Sequence, residues 1–173
     1  MIEPAQLQKE IILPALYRLS DWTNKHMCDT HAIMLLMGTC AQESQMGRYL
    51  KQINGPACGI YQMEPKTYLD VWNRSMIRFP ELKIHLSSVY GGGQFTYHRL
   101  VEDLSYATIF CRLFYYLIPK SLPSAYDVNA IGNFWKTYYN TKHGKGTVEE
   151  FVKNFYHFKL DRTLQNMTES QKV

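Results

Sequence analysis

The stretch from Ala32 to Ala41, AIMLLMGTCA, carries no charged side chain, and just beyond it stands a lone carboxylate, Glu43, followed by Ser44. A helix that is apolar on nearly all sides belongs inside a protein. This segment, His31 to about Gln45, therefore predicts a central element with the rest of the chain packed around it. Gly38 lowers its intrinsic helix stability but lets another segment approach closely, and Asp29 or Thr30 is placed to cap it. Downstream come Asn54-Gly55-Pro56, a strong turn signal, and the run Gly59-Ile60-Tyr61-Gln62-Met63-Glu64-Pro65. An acid at the end of such a helix, facing a loop rich in hydrogen-bonding groups, has what a general acid needs if burial is to raise its pKa.

Around this element the pattern predicts a mainly α fold. Residues Pro4 to Trp22 place Leu7, Ile11, Ile12, Ala15, Leu16 and Leu19 at helical spacing, with Pro14 predicting a kink or two short helices. Gly59 to Met63 reads as a short extended piece. Pro65 opens a helix through Trp72, with Glu64 at its N-terminal end, where a carboxylate complements the helix dipole. From Asn73 to Phe95 the pattern is weak, and the triple glycine Gly91 to Gly93 reads as a simple turn or as a loop able to move over a cleft. Leu100 to Leu117 reads as a second strongly apolar helix, ended by Pro119. Asp127 or Asn129 caps a helix from Ala130 to Tyr139, in which Trp135 sits at core spacing. Thr147, with Glu149 and Glu150 in the first turn, opens a last amphipathic helix from Val148 to about Leu160. The expectation is one compact helical domain over residues 1–160, with at most a minimal β element, and a polar, fraying tail over 161–173.

The totals narrow the classes further. At 173 residues the chain can bury a core without staples, and 46% hydrophobic with 20% charged residues is the composition of a globular protein. The longest apolar run, Ala32 to Met37, is too short to cross a bilayer, so no membrane span is expected. The start MIEPAQLQKEIILPALYRL lacks a basic leader and a small-residue cleavage site, so the chain is expected to be made and folded in a cytoplasm. Four cysteines (Cys28, Cys40, Cys58, Cys111) are scattered in apolar settings and read as reduced thiols. Six histidines lack metal-ligand spacing, and neither a metal nor a cofactor is expected. The net charge of +4 would suit a polyanionic surface such as a bacterial cell wall, but there is no Arg/Lys stripe to suggest nucleic acid.

Three runs, GTCAQES (Gly38 to Ser44), GIYQMEP (Gly59 to Pro65) and FWKTYYNTKHGKG (Phe134 to Gly146), resemble the ordered signature blocks of soluble lytic transglycosylases, relatives of goose-type lysozyme. The wider pattern, QMEPKTYLDVW and WKTYYNT with GKGT, is similar to a group of bacteriophage virion-associated transglycosylases. The resemblance covers roughly Leu35 to Phe155. It implies a fold of the lysozyme-like α+β superfamily, with Glu43 as the catalytic acid and Ser44 as its helix-end neighbour. It further implies that Gly59, Tyr61, Gln62 and Met63 form a substrate-binding cleft block and that Tyr139-Asn140 supplies a cleft tyrosine. Tyr138 is a rival for that tyrosine by one position. Two departures stand out: Tyr61 occupies a position where the family often has methionine, and Thr141-Lys142-His143-Gly144 replaces the usual small-residue-glycine ending.

Cleaving a glycosidic bond requires protonation of the leaving oxygen, and most glycosidases add a second carboxylate as nucleophile or base. The next acids after Glu43 are Glu64, Asp70 and Glu81. With no second carboxylate, one glutamate can act as acid and then as base toward the substrate's own 6-hydroxyl, closing an anhydro ring; the resemblance implies this route. The expected function is therefore a lytic transglycosylase cutting the N-acetylmuramic acid to N-acetylglucosamine β-1,4 bond. Its expected partners are the peptidoglycan glycan strand and other virion proteins, and it would act on the periplasmic wall after delivery by a phage. A hydrolytic lysozyme on the same fold, and a non-catalytic virion structural or wall-binding module, are the alternatives.

Overall fold

The computed structural model describes residues 1–91, 96–141 and 144–170. Its described part is mainly α-helical, and its β structure is confined to two isolated bridges, Lys51 with Cys58 and Cys58 with Met63. The helices are α1 (Pro4–Gln6), a π segment π1 (Leu7–Ile12), α2 (Leu13–Thr23), α3 (Thr30–Ser44), α4 (Pro65–Arg78) and α5 (Leu82–Tyr90). They continue with α6 (Arg99–Glu102), α7 (Leu104–Tyr116), α8 (Val128–Trp135), a second π segment π2 (Lys136–Asn140), α9 (Val148–His157) and α10 (Leu160–Ser170). Among the described residues no helix is long and apolar enough to cross a membrane.

The central helix is α3. Asp29 caps it by accepting from the Ala32 amide at 2.7 Å, and every residue from Ala32 to Ala41 is buried. It packs against α7, α8, α9 and α10. Gly38 is what admits α9: a Cβ there would lie 2.4 Å from Cζ of Phe151. The helix ends because Gln45, Met46 and Gly47 all adopt left-handed backbone angles. Ser44 completes the stop, accepting from the Gly47 amide at 2.9 Å and donating to the Cys40 carbonyl.

Helix α7 is the second buried element, with Tyr106 to Leu113 all inside. An aromatic cluster joins it to α4: Tyr68 and Tyr106 flank Phe110 with ring centres 4.7 and 4.6 Å away, and the two tyrosine hydroxyls lie 2.7 Å apart. Some buried hydroxyls are paired across elements, Thr39 with the Tyr115 hydroxyl at 2.8 Å and Thr108 with the Tyr61 hydroxyl at 3.1 Å. Such pairs fix which helix faces meet, because a buried hydroxyl left alone is costly. All four cysteines are free thiols.

Several expectations are corrected. At Pro14 the helix does not stop: the chain accommodates the missing amide by widening into π1, where the Leu13 amide bonds to the Gln8 carbonyl, before continuing as α2. Gly59 to Gln62 is a tight turn rather than an extended piece, closed by paired hydrogen bonds of 3.0 Å between Cys58 and Met63. The weakly patterned region after Asn73 is largely helical, with α4 running to Arg78 and α5 burying Leu82, Leu86 and Tyr90. The segment Leu100 to Leu117 is broken at Asp103, whose carboxylate caps α7 through the Tyr106 amide. The supposed tail forms α10, in which Leu160, Thr163 and Leu164 are buried. Gly91 closes α5 at a φ of +81°, while Gly92 and Gly93 lie outside the described residues.

Candidate active site

Glu43 sits in the last turn of α3, at the wall of a cleft of about 780 Å³. Its neighbours in that cleft include Gln62, Met63, Glu64, Phe114, Trp135, Tyr139 and Asn140. The carboxylate Oε1 accepts from the indole Nε1–H of Trp135 at 2.8 Å. Burial pushes the Glu43 pKa up from 4.5 to about 7, and the Trp135 hydrogen bond restrains that rise. The negative end of the α3 dipole also disfavours the ionised form. At neutral pH the group is therefore poised between acid and carboxylate.

The wall beside Glu43 is built by α8 and π2. In a regular helix Tyr139 would share a face with Trp135 and Asn140 would point well away. The wider π turn returns to its starting face about one residue later, and both Tyr139 and Asn140 line the cleft beside Trp135. Tyr139 donates to the Tyr61 carbonyl at 2.7 Å, joining π2 to the Gly59–Gln62 turn, and its ring packs edge-on against Phe114 at 4.9 Å. Burial holds its hydroxyl far above the ordinary tyrosine range. Tyr138 instead packs on Phe134 at 4.7 Å, so Tyr139 is the tyrosine of the cleft.

Gln62 has a left-handed backbone (φ +46°), and its amide nitrogen donates to the Gly59 and Tyr49 carbonyls at 2.8 and 3.2 Å. It braces the turn and lines the cleft. Asn140 accepts from Lys136 Nζ at 2.7 Å, and the same ammonium donates to the Gly144 carbonyl, which ties π2 to the following loop. Lys142 and His143 of that loop lie outside the described residues.

The other residues expected to bind substrate have structural places. Ser44 is the buried stop of α3, and the Tyr61 ring is buried against Thr108 while its carbonyl accepts from Tyr139; neither residue lines the cleft. Gly59 has a φ of +77° and lies so close to α6 that a Cβ would meet the Leu100 carbonyl at 2.5 Å. Met63 is buried yet reaches the cleft wall.

Sequence reasoning missed Trp135, whose spacing marks it as core; it is indeed fully buried, but its donor-only N–H had to find an acceptor there. Glu64 stands at the N-cap of α4, as expected for a carboxylate that complements the helix dipole, makes no capping bond through its side chain and lies exposed in the same cleft. Among the described residues no cluster of three His, Cys, Asp or Glu side chains could hold a metal. No protein-family model, curated protein or solved structure matches the chain.

Proposed function

We propose that the chain is a peptidoglycan-cleaving lytic transglycosylase that works with Glu43 as its only acid and base. The observation that carries this reading is a desolvated carboxyl at about pKa 7 on the wall of an open, largely polar cleft. The three sequence blocks that resemble lytic transglycosylases support it, since each contributes a residue to that cleft: Glu43, Gln62 and Tyr139.

In the proposed reaction the neutral Glu43 gives its proton to the bridging oxygen as the sugar gains oxocarbenium character. The resulting carboxylate then takes the proton of the sugar's own 6-hydroxyl, which attacks the anomeric carbon and closes the anhydro ring. A group titrating near neutrality suits both half-steps. Proposed partners are the glycan strand and other phage virion proteins, with action at the periplasmic wall. The test is mass analysis of fragments released from purified peptidoglycan. Products lighter by one water than hydrolytic fragments are expected, and Glu43→Gln should release none; reducing-end products would overturn transglycosylation.

A hydrolytic lysozyme is the second reading, favoured by one observation: Glu64 supplies another carboxylate in the cleft. Under the first reading Glu64→Gln leaves the anhydro products and their rate within about threefold. A loss on the order of 100-fold, with reducing ends in the wild type, would make Glu64 the base that activates water.

A further inference from the structure

We propose that Trp135 is the positioning residue of Glu43: its indole N–H fixes Oε1 and confines the acid's proton to Oε2, the oxygen left for the cleft. This rests on Glu43 being the acid of the proposed function. An indole nitrogen can only donate, so the oxygen that receives its hydrogen bond is the poorer place for a proton. Trp135 is fully buried, and Oε1 of Glu43 is the acceptor its N–H finds, at 2.8 Å. Among the described residues, no other side chain hydrogen-bonds to the Glu43 carboxyl.

The ring has little freedom to turn away. It packs on Phe151 with centres 5.3 Å apart, and Gly146 lies so near that a Cβ would stand 2.7 Å from Cη2 of Trp135. Phe151 is itself held between two glycines, Gly38 of α3 and Gly132 of α8, where a Cβ would approach to 2.4 and 3.1 Å. Helices α3, α8 and α9 thus meet on a stack that ends in one hydrogen bond to one carboxylate oxygen. A donor to Oε1 favours the ionised form, so Trp135 also limits the rise that burial imposes. It thereby keeps both the acid and the base form of Glu43 within reach.

The test replaces Trp135 in the full chain with 3-benzothienylalanine, which keeps the shape and puts sulfur in place of N–H. The Glu43 side-chain carboxyl is then followed by carbon-13 NMR across pH. The midpoint should rise by about one pH unit, and the alkaline limb of wall lysis should rise with it. A midpoint that is unchanged or lower in the folded variant overturns the proposal and leaves Trp135 a packing residue. The unmodified protein provides a second measurement: the Trp135 indole N–H resonance must titrate with the Glu43 midpoint, and one that ignores it also overturns the proposal. Both readouts observe the carboxyl rather than catalysis. A shifted midpoint in a protein that cleaves no wall therefore supports the positioning and sinks only the enzymatic reading.

Discussion

Glu43 has a raised pKa that suits the proposed chemistry and also carries a stability cost. Its folded pKa of about 7 lies above the 4.5 of an unburied carboxyl, so the folded state holds a proton that the unfolded chain releases. Its contribution to stability is fully present below about 4.5 and is lost as pH rises through about 7, roughly 3 kcal/mol in all. Glu43→Gln removes the ionisable group while keeping an acceptor for Trp135. The variant should melt at a higher temperature than wild type at pH 8 and match it at pH 4, while wall lysis falls at least about 100-fold. Equal melting temperatures at both pH values would contradict the buried-acid description. Wild-type lysis should fall as pH rises through about 7, as measured by turbidity of a cell-wall suspension across a pH series. The desolvated setting of Glu43 was legible because an uncharged helix that delivers a single acid carries that acid to the edge of the core. The place of Trp135 was not, because helical spacing reports burial and says nothing about where a buried N–H points.

At the scale of elements, local capping and one-residue changes of helical pitch decide what apolar spacing leaves open. The break at Asp103 was invisible to periodicity, since Leu100 and Leu104 continue the same apolar pattern across it; the capping carboxylate competes locally and wins. Helix α5 was hidden because its buried residues, Leu82, Leu86 and Tyr90, are separated by polar and exposed side chains. Segment π2 was hidden for a different reason: a π turn has no composition of its own, yet it brings Asn140 into the cleft. The glycines, by contrast, report close approach. Gly38→Ala gains helix propensity worth about 1 kcal/mol but forces a Cβ into the caged ring of Phe151. The net effect should be a loss of about 1–2 kcal/mol in urea unfolding, together with reduced lysis, because Phe151 supports Trp135. A variant as stable as wild type would show that α9 can move away from α3 at little cost.

The molecule is built around two buried helices, α3 and α7, with α2, α4 and α6 packed on α7, and the last helix is a neighbour of α3. The polar spelling of residues 161–170 hides an amphipathic face in which Leu160 and Leu164 are buried and Met167 packs against the core. Helix α10 touches α1, α3 and α9, so it joins the first helix of the chain to the element that carries Glu43. A frayed tail could be removed with almost no effect on melting. A packed helix cannot, because each buried leucine lost costs about 2–5 kcal/mol. A chain ending at Lys159 should therefore lose about 4 kcal/mol or more, which lowers Tm by on the order of 10 °C in a protein of this size. Leu160→Ala in the full chain separates packing from length: it should reproduce a large part of the loss, while Gln165→Ala, on the exposed face, should change Tm by less than about 1 °C. If the shortened chain melts with the wild type, α10 is no part of the core, and the support of α3 comes from π1, α7, α8 and α9.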